Sequence, residues 1–177
     1  MKNFVSIYHP EMNYFFLRLQ KALGNLPENP RPECEGFYFA DFDPQKGLTA
    51  EEIGEAVAEK KSKYLHFACK KATEVLRYKA KRSKEFADDK AERYAGSFAS
   101  SYGCTGISGH DSMIDEAIAV LCEATKHVIR VNDSTNAFLA SDEFFRSLRA
   151  IALTWSENYV PDNKWVDIIA NLMADQQ

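Results

Sequence analysis

Several familiar signatures are missing from this 177-residue chain. Its four cysteines, Cys34, Cys69, Cys104 and Cys122, form no C-x-x-C pair, which argues against a zinc knuckle or a dithiol redox centre. No apolar run approaches the roughly 18 residues that a membrane-spanning helix requires. The N-terminal stretch MKNFVSIYHPEMNYFF has no charged, apolar and cleavable succession of the secretory kind. H-E-x-x-H, G-x-S-x-G and the H-x-E…P-C-x-x-C deaminase pattern are absent, which removes the best-marked hydrolase and metalloenzyme classes. Global positive charge is lacking too: the net charge is −4 and the pI about 5.6, so this is not a basic protein of the histone kind. These absences predict one cytoplasmic domain spanning residues 1–177, in no contact with a membrane.

What is present is ordinary in amount but not in arrangement. Hydrophobic residues make up 45% and charged residues 27%, enough for one core without staples. The apolar spacing is mostly helical. Pro10 opens a helix that Gly24 closes, with Met12, Phe15, Phe16, Leu19 and Leu23 on one face. A proline-rich, aromatic stretch near residues 25–48 interrupts the pattern, and its FYFADF portion reads as a segment pressed onto the core, in extended form. From Ala50 the spacing Ile53, Val57, Tyr64, Leu65, Ala68, Ala72, Val75 and Leu76 predicts a long helix reaching about residue 83. Further helices are expected over Glu85–Ser101, Ser112–Val131, Asp142–Asn158 and a segment holding Trp165, Ile168, Ile169 and Leu172. Residues 132–141 read as a break that holds at most one turn. No convincing set of alternating strands emerges. The expected class is all-α, a compact single-domain bundle of five to seven helices.

Charge is concentrated in one place. Residues 60–84 carry ten lysines and arginines against a single acid, Glu74. At 100° per residue on a continuous helix, Lys63, His66, Lys70, Arg77, Lys81 and Lys84 fall within about 60° of one another. Such a stripe could meet an acidic protein surface or a row of phosphates. The acidic pI and the lack of aromatics interleaved within the stripe favour the protein partner. A solvated helix face would look the same in sequence.

The stretch Asp41-Phe42-Asp43-Pro44-Gln45-Lys46-Gly47-Leu48-Thr49-Ala50-Glu51-Glu52 partly imitates a calcium-binding loop. Asp41, Asp43, Gln45 and Glu52 fall at ligand positions 1, 3, 5 and 12. Lys46, however, stands where glycine is needed, and prolines replace the entering helix. The same residues fit a turn at Asp43-Pro44 followed by a Thr49/Glu52 capping box at a helix start, which is the preferred reading.

The segment Gly103-Cys104-Thr105-Gly106-Ile107-Ser108-Gly109-His110-Asp111 places glycines ahead of a helix. It lacks the G-K-[ST] ending of a phosphate loop, and acids crowd the start of the helix, so it reads as a flexible connection. Cys104 and His110 in that segment offer a conceivable thiol–imidazole pair. Glu116, Glu123 and His127 share one helix face at steps of seven and four, which suggests a polar face more than a metal site.

The sequence therefore predicts a small helical binding, adaptor or inhibitor-type protein. Its basic stripe docks an acidic protein surface. The alternative is a nucleic-acid-binding regulator using the same stripe, and a third is an enzyme working through residues 103–111. No catalytic residue, metal ligand or cofactor is assigned. An exposed FYFADF would favour self-association.

Overall fold

A sheet lies between the helices of this protein. The computed structural model describes residues 5–30, 36–55, 61–91, 93–132 and 135–176. The elements run α1 (Asn13–Gly24), β1 (Phe37–Asp43), β2 (Gly47–Ile53), α2 (Lys61–Arg77), β3 (Ser97–Ser100), β4 (Gly103–Ser108), α3 (Ser112–Val131), α4 (Asn136–Leu139), α5 (Asp142–Tyr159) and α6 (Lys164–Ala174). Short 3-10 turns at Pro10–Met12, Ser83–Phe86 and Asp89–Ala91 join them. Among the described residues, six helices and a four-stranded antiparallel sheet make the fold mixed α and β, which overturns the all-α bundle expected from periodicity.

Two hairpins build the sheet, and their inner strands pair with each other, giving the order β2-β1-β4-β3. Asp43 shapes the first hairpin turn. Its Oδ1 accepts from Gln45 N at 2.7 Å and Lys46 N at 3.2 Å, Pro44 presets the turn, and Gly47 takes φ +83°. Thr49 and Glu52 thus lie in β2, and no capping box forms there.

Helices cover both faces of the sheet. On one face Tyr38, Ala40 and Cys104 pack against Ala68, Ala72 and Val75 of α2. On the other, Phe37, Phe39, Ile53, Phe98 and Ile107 join the main core formed with α1, α3, α5 and α6. β1 is buried on both sides, so its residues FYFADFD show none of the polar–apolar alternation of a half-exposed strand. That is why it escapes a period-based reading. FYFADF is extended and covered, as expected, and gives no exposed patch for self-association.

The glycines of β4 are there for close approach. A Cβ on Gly106 would sit 2.2 Å from the Ala68 carbonyl oxygen and 2.8 Å from Ala72 N. Bare glycine lets the α2 backbone rest directly on the sheet. Residues 103–108, expected to be a flexible loop, are a fully buried strand.

α3 passes through the centre, with fourteen of its twenty residues buried. Its limits match the expected helix, and Asp111 is the N-cap, its Oδ1 accepting from Met113 N. α5 and α6 also follow their apolar spacing, and α4 is the single turn between them and α3. The helix expected over Glu85–Ser101 does not form: 3-10 turns and β3 occupy that stretch. Among the described residues no helix is long and apolar enough to cross a membrane.

Candidate functional site

The basic stripe required one unbroken helix, and α2 ends too soon. After Arg77 the chain closes a Schellman turn. Ala80 N bonds to the Val75 carbonyl, Lys79 N bonds to the Leu76 carbonyl, and Lys79 itself takes φ +52° at the position usually held by glycine. Val57 and Lys60 lie outside the described residues. Lys63, His66, Lys70 and Arg77 stand on α2, with Lys70 donating to the Ala91 carbonyl at 3.2 Å.

Lys81 and Lys84 leave this face. Lys81 runs alongside β3, where its carbonyl accepts from Ala99 N. Its ammonium lies 4.4 Å from the Tyr159 ring centroid and 5.0 Å from that of Phe98. Burial in this aromatic setting lowers its pKa, against the pull of Glu123. Lys84 pairs with Asp162. Four of the six stripe residues share α2, while Lys81 turns to an aromatic cluster and Lys84 to a surface pair with Asp162 once the helix stops.

One of those four, Lys63, stands at the rim of a cleft between α2 and the β4–α3 turn. The cleft encloses about 280 Å³. Tyr64 and Phe67 of α2 face Tyr94 across it, and Phe67 and Tyr94 meet edge to face at 5.4 Å. The opposite wall is Ser108, Gly109 and His110, running into Ser112 at the start of α3. Two stretches that stood out separately in the sequence, the basic run and the glycine-rich turn, therefore meet in one place.

Lys71 lines the same cleft from within the fold. It is 6% exposed, and its ammonium donates to the Ile107 carbonyl at 2.7 Å and to Asp115 Oδ2 at 3.3 Å. Asp115 Oδ1 accepts from His110 N at 2.9 Å. Burial raises the Asp115 pKa, while Lys71 and His110 pull against the rise. Gly96 makes room for the pair, since a Cβ there would come within 2.6 Å of the Lys71 ammonium. Periodicity overlooked Lys71. The signal was available: Lys71 lies three residues after Ala68 and four before Val75, on the apolar side of α2. A lysine there must be paired or sit beside a polar cavity.

A second group of buried charges lies where β1 and α3 converge. Lys126 bonds to Asp41 Oδ1 at 2.7 Å and pairs with Glu123. Glu123 also accepts from Thr105 Oγ1 at 2.7 Å and Ser100 Oγ at 2.8 Å. Arg130 bonds to Asp43 Oδ2 at 2.7 Å. His9 Nε2 lies 3.4 Å from Asp41 Oδ2. His9, Asp41, Asp43, Lys126 and Arg130 border a cavity of about 330 Å³, yet their hydrogen-bonding atoms mostly answer one another. Burial raises the Glu123 pKa against the pull of Lys126, and its carboxylate is matched by an ammonium and two hydroxyls. The arrangement ties strand to helix.

The remaining motif readings are resolved by position. Asp41 faces α3, whereas Glu52 is on the opposite face of its hairpin, so no calcium loop forms. Cys104 lies near the start of β4 and His110 beyond its far end, so the strand holds thiol and imidazole apart and they form no nucleophile–base pair. Cys104 is buried and its thiol is pushed well up by that burial. Glu116 is held by Arg82 and Asn163, Glu123 by the group above, and the His127 ring packs at steep angles against Tyr102 and Trp155. Among the described residues no cluster of three or more His, Cys, Asp or Glu side chains could hold a metal ion. No family model matches this chain, and no curated protein or solved structure matches it.

Proposed function

We propose that this is a small-molecule-binding protein whose site is the cleft between α2 and the β4–α3 turn. One observation supports the reading above others: a buried lysine ammonium lines a cleft of about 280 Å³ that also carries three aromatic side chains. Ligand sites combine such an apolar wall with a few fixed polar groups. A lysine that served only to pair with Asp115 would not need to border a cavity.

The test is a thermal-shift screen of the full chain with small neutral, cationic and anionic molecules. Ser112→Trp, which fills the mouth of the cleft, serves as the comparison. A true ligand at 100 times its Kd stabilises by about 2.7 kcal/mol. For a chain of this size each kcal/mol raises Tm by about 2–4 °C. Ligands that shift the wild type and not Ser112→Trp support the site. A diverse screen that shifts neither protein, or both equally, removes it.

The α2 surface favours a second reading. Lys63, His66, Lys70 and Arg77 share its outward side and none of them is buried. Such a face suits an acidic protein partner. Charge reversal at Lys63, Lys70 and Arg77 would abolish capture of that partner. Nucleic acid on the same face would show as binding to labelled DNA or RNA that falls by orders of magnitude between about 50 and 200 mM salt.

A further inference from the structure

We infer that the α2/β4–α3 cleft selects a small monocarboxylate joined to a flat aromatic body, an inference that rests on the cleft being a ligand site. Hydrogen-bond capacity at its wall carries the argument. Both oxygens of the buried Asp115 carboxylate already have donors. Asp115 Oδ1 takes the His110 N–H, and Oδ2 takes Lys71. Asp111 Oδ1 caps α3 through Met113 N. Donors remain. An ammonium has three N–H groups, and Ile107 and Asp115 engage two of those on Lys71. Lys63 is exposed at the rim, its ammonium 5.5 Å from the Phe67 ring centroid. Ser108 and Ser112 add hydroxyls. A donor-rich wall calls for a ligand that brings acceptors, and a carboxylate is the compact one.

Charge sets the limit on that group. Lys63 and Lys71, on α2, are opposed by Asp111 and Asp115 at the start of α3. A single negative charge placed between the two lysines is favoured. The double charge of a phosphate would meet both aspartates at close range. A cation would displace or crowd the lysines. The other half of the ligand follows from Tyr64, Phe67 and Tyr94, whose rings offer flat apolar contact. The volume of about 280 Å³ is at the small end for ligand pockets and suits a one-ring molecule.

The experiment is isothermal titration of the full chain with four probes: 3-phenylpropionate, 3-phenylpropan-1-ol, 3-phenylpropylamine and hexanoate. The expected order places 3-phenylpropionate first. The alcohol and hexanoate should each bind about tenfold or more weaker, in line with one lost charge-assisted hydrogen bond or one lost ring contact. The amine should not bind. Lys63→Ala should weaken 3-phenylpropionate about three- to tenfold and the alcohol by a smaller factor, which separates charge recognition from the integrity of the fold. Equal binding of alcohol and acid, binding of the amine, or equal binding of hexanoate would overturn the ligand class. Failure of all four probes, while another molecule from the screen still loses binding in Ser112→Trp, would overturn the class and keep the site. Failure of every ligand would overturn both.

Discussion

Arg82 holds Glu116 through two parallel hydrogen bonds, Nε donating to Oε2 at 2.9 Å and Nη2 donating to Oε1. Glu116 is fully buried, and Asn163 Nδ2 completes its shell at 2.9 Å from Oε1. Arg82 also reaches Asp162 Oδ1 through Nη1 at 2.6 Å. The extended segment after α2, the N-terminal part of α3 and the turn before α6 are thus joined by one guanidinium. Removing Glu116 leaves the buried Arg82 guanidinium with the partly exposed Asp162 as its remaining carboxylate. Glu116→Ala should therefore lower unfolding stability by about 3–5 kcal/mol. Urea denaturation followed by circular dichroism measures it. A loss under about 1 kcal/mol would mean that the pair stabilises little beyond a surface ion pair.

The contact between α2 and the sheet makes a sharper geometric demand. Gly106→Ala places a methyl against the Ala68 carbonyl and should cost about 1–3 kcal/mol, the usual penalty of overpacking. Gly24→Ala at the end of α1 is the control, since nothing lies within 4 Å of its added Cβ. It should be neutral or slightly stabilising, by up to about 1 kcal/mol. Equal effects in thermal denaturation would contradict the close seating of α2.

His9 is a buried titratable group with a defined sign. Burial lowers its pKa, but hydrogen bonding to Glu11 and the charges of Asp41, Glu11 and Glu51 outweigh it, and the net shift is upward. The protonated form is favoured in the folded state. Its contribution is fully present below the ordinary histidine value and is lost as pH rises through the raised one. Wild-type Tm should fall relative to His9→Gln as pH goes from about 6 to 8. Parallel curves for the two proteins would remove His9 as the source. An NMR titration of its ring protons gives the midpoint directly.

The thiols report on the integrity of the core. Cys104 and Cys122 are buried, and burial pushes both thiols up, so neither offers a thiolate. Iodoacetamide should leave both unmodified in the native protein and modify both in denaturant. Peptide mass spectrometry distinguishes the sites. Rapid native labelling of Cys104 would show that α2 leaves the sheet readily.

Local pattern accounts for much of the helical part of this protein. α1, α3, α5 and α6 each bury a stripe spaced at three and four residues, and that spacing is a property of the segment itself. The turn at Asp43-Pro44 is equally local, since its side-chain bonds reach only two and three residues ahead. The concentration of charge between residues 60 and 84 is plain from composition alone.

The tertiary structure decided the rest. β1 and β4 are covered on both faces, so no alternation marks them, and their pairing joins residues far apart in the chain, such as Asp41 with Thr105. β2 carries a sequence that also fits a helix start, and only its partner strand settles which it becomes. The Schellman turn at Lys79 splits the basic run, sending Lys81 to an aromatic cluster and Lys84 to Asp162. The candidate site belongs to the same class. Lys63 and Lys71 are eight residues apart on one helix, but Tyr94, His110 and Asp115 reach them only through the folding of the sheet. A helix period is written in consecutive residues, whereas a cleft is made where distant segments pack, and its donors are placed by that packing.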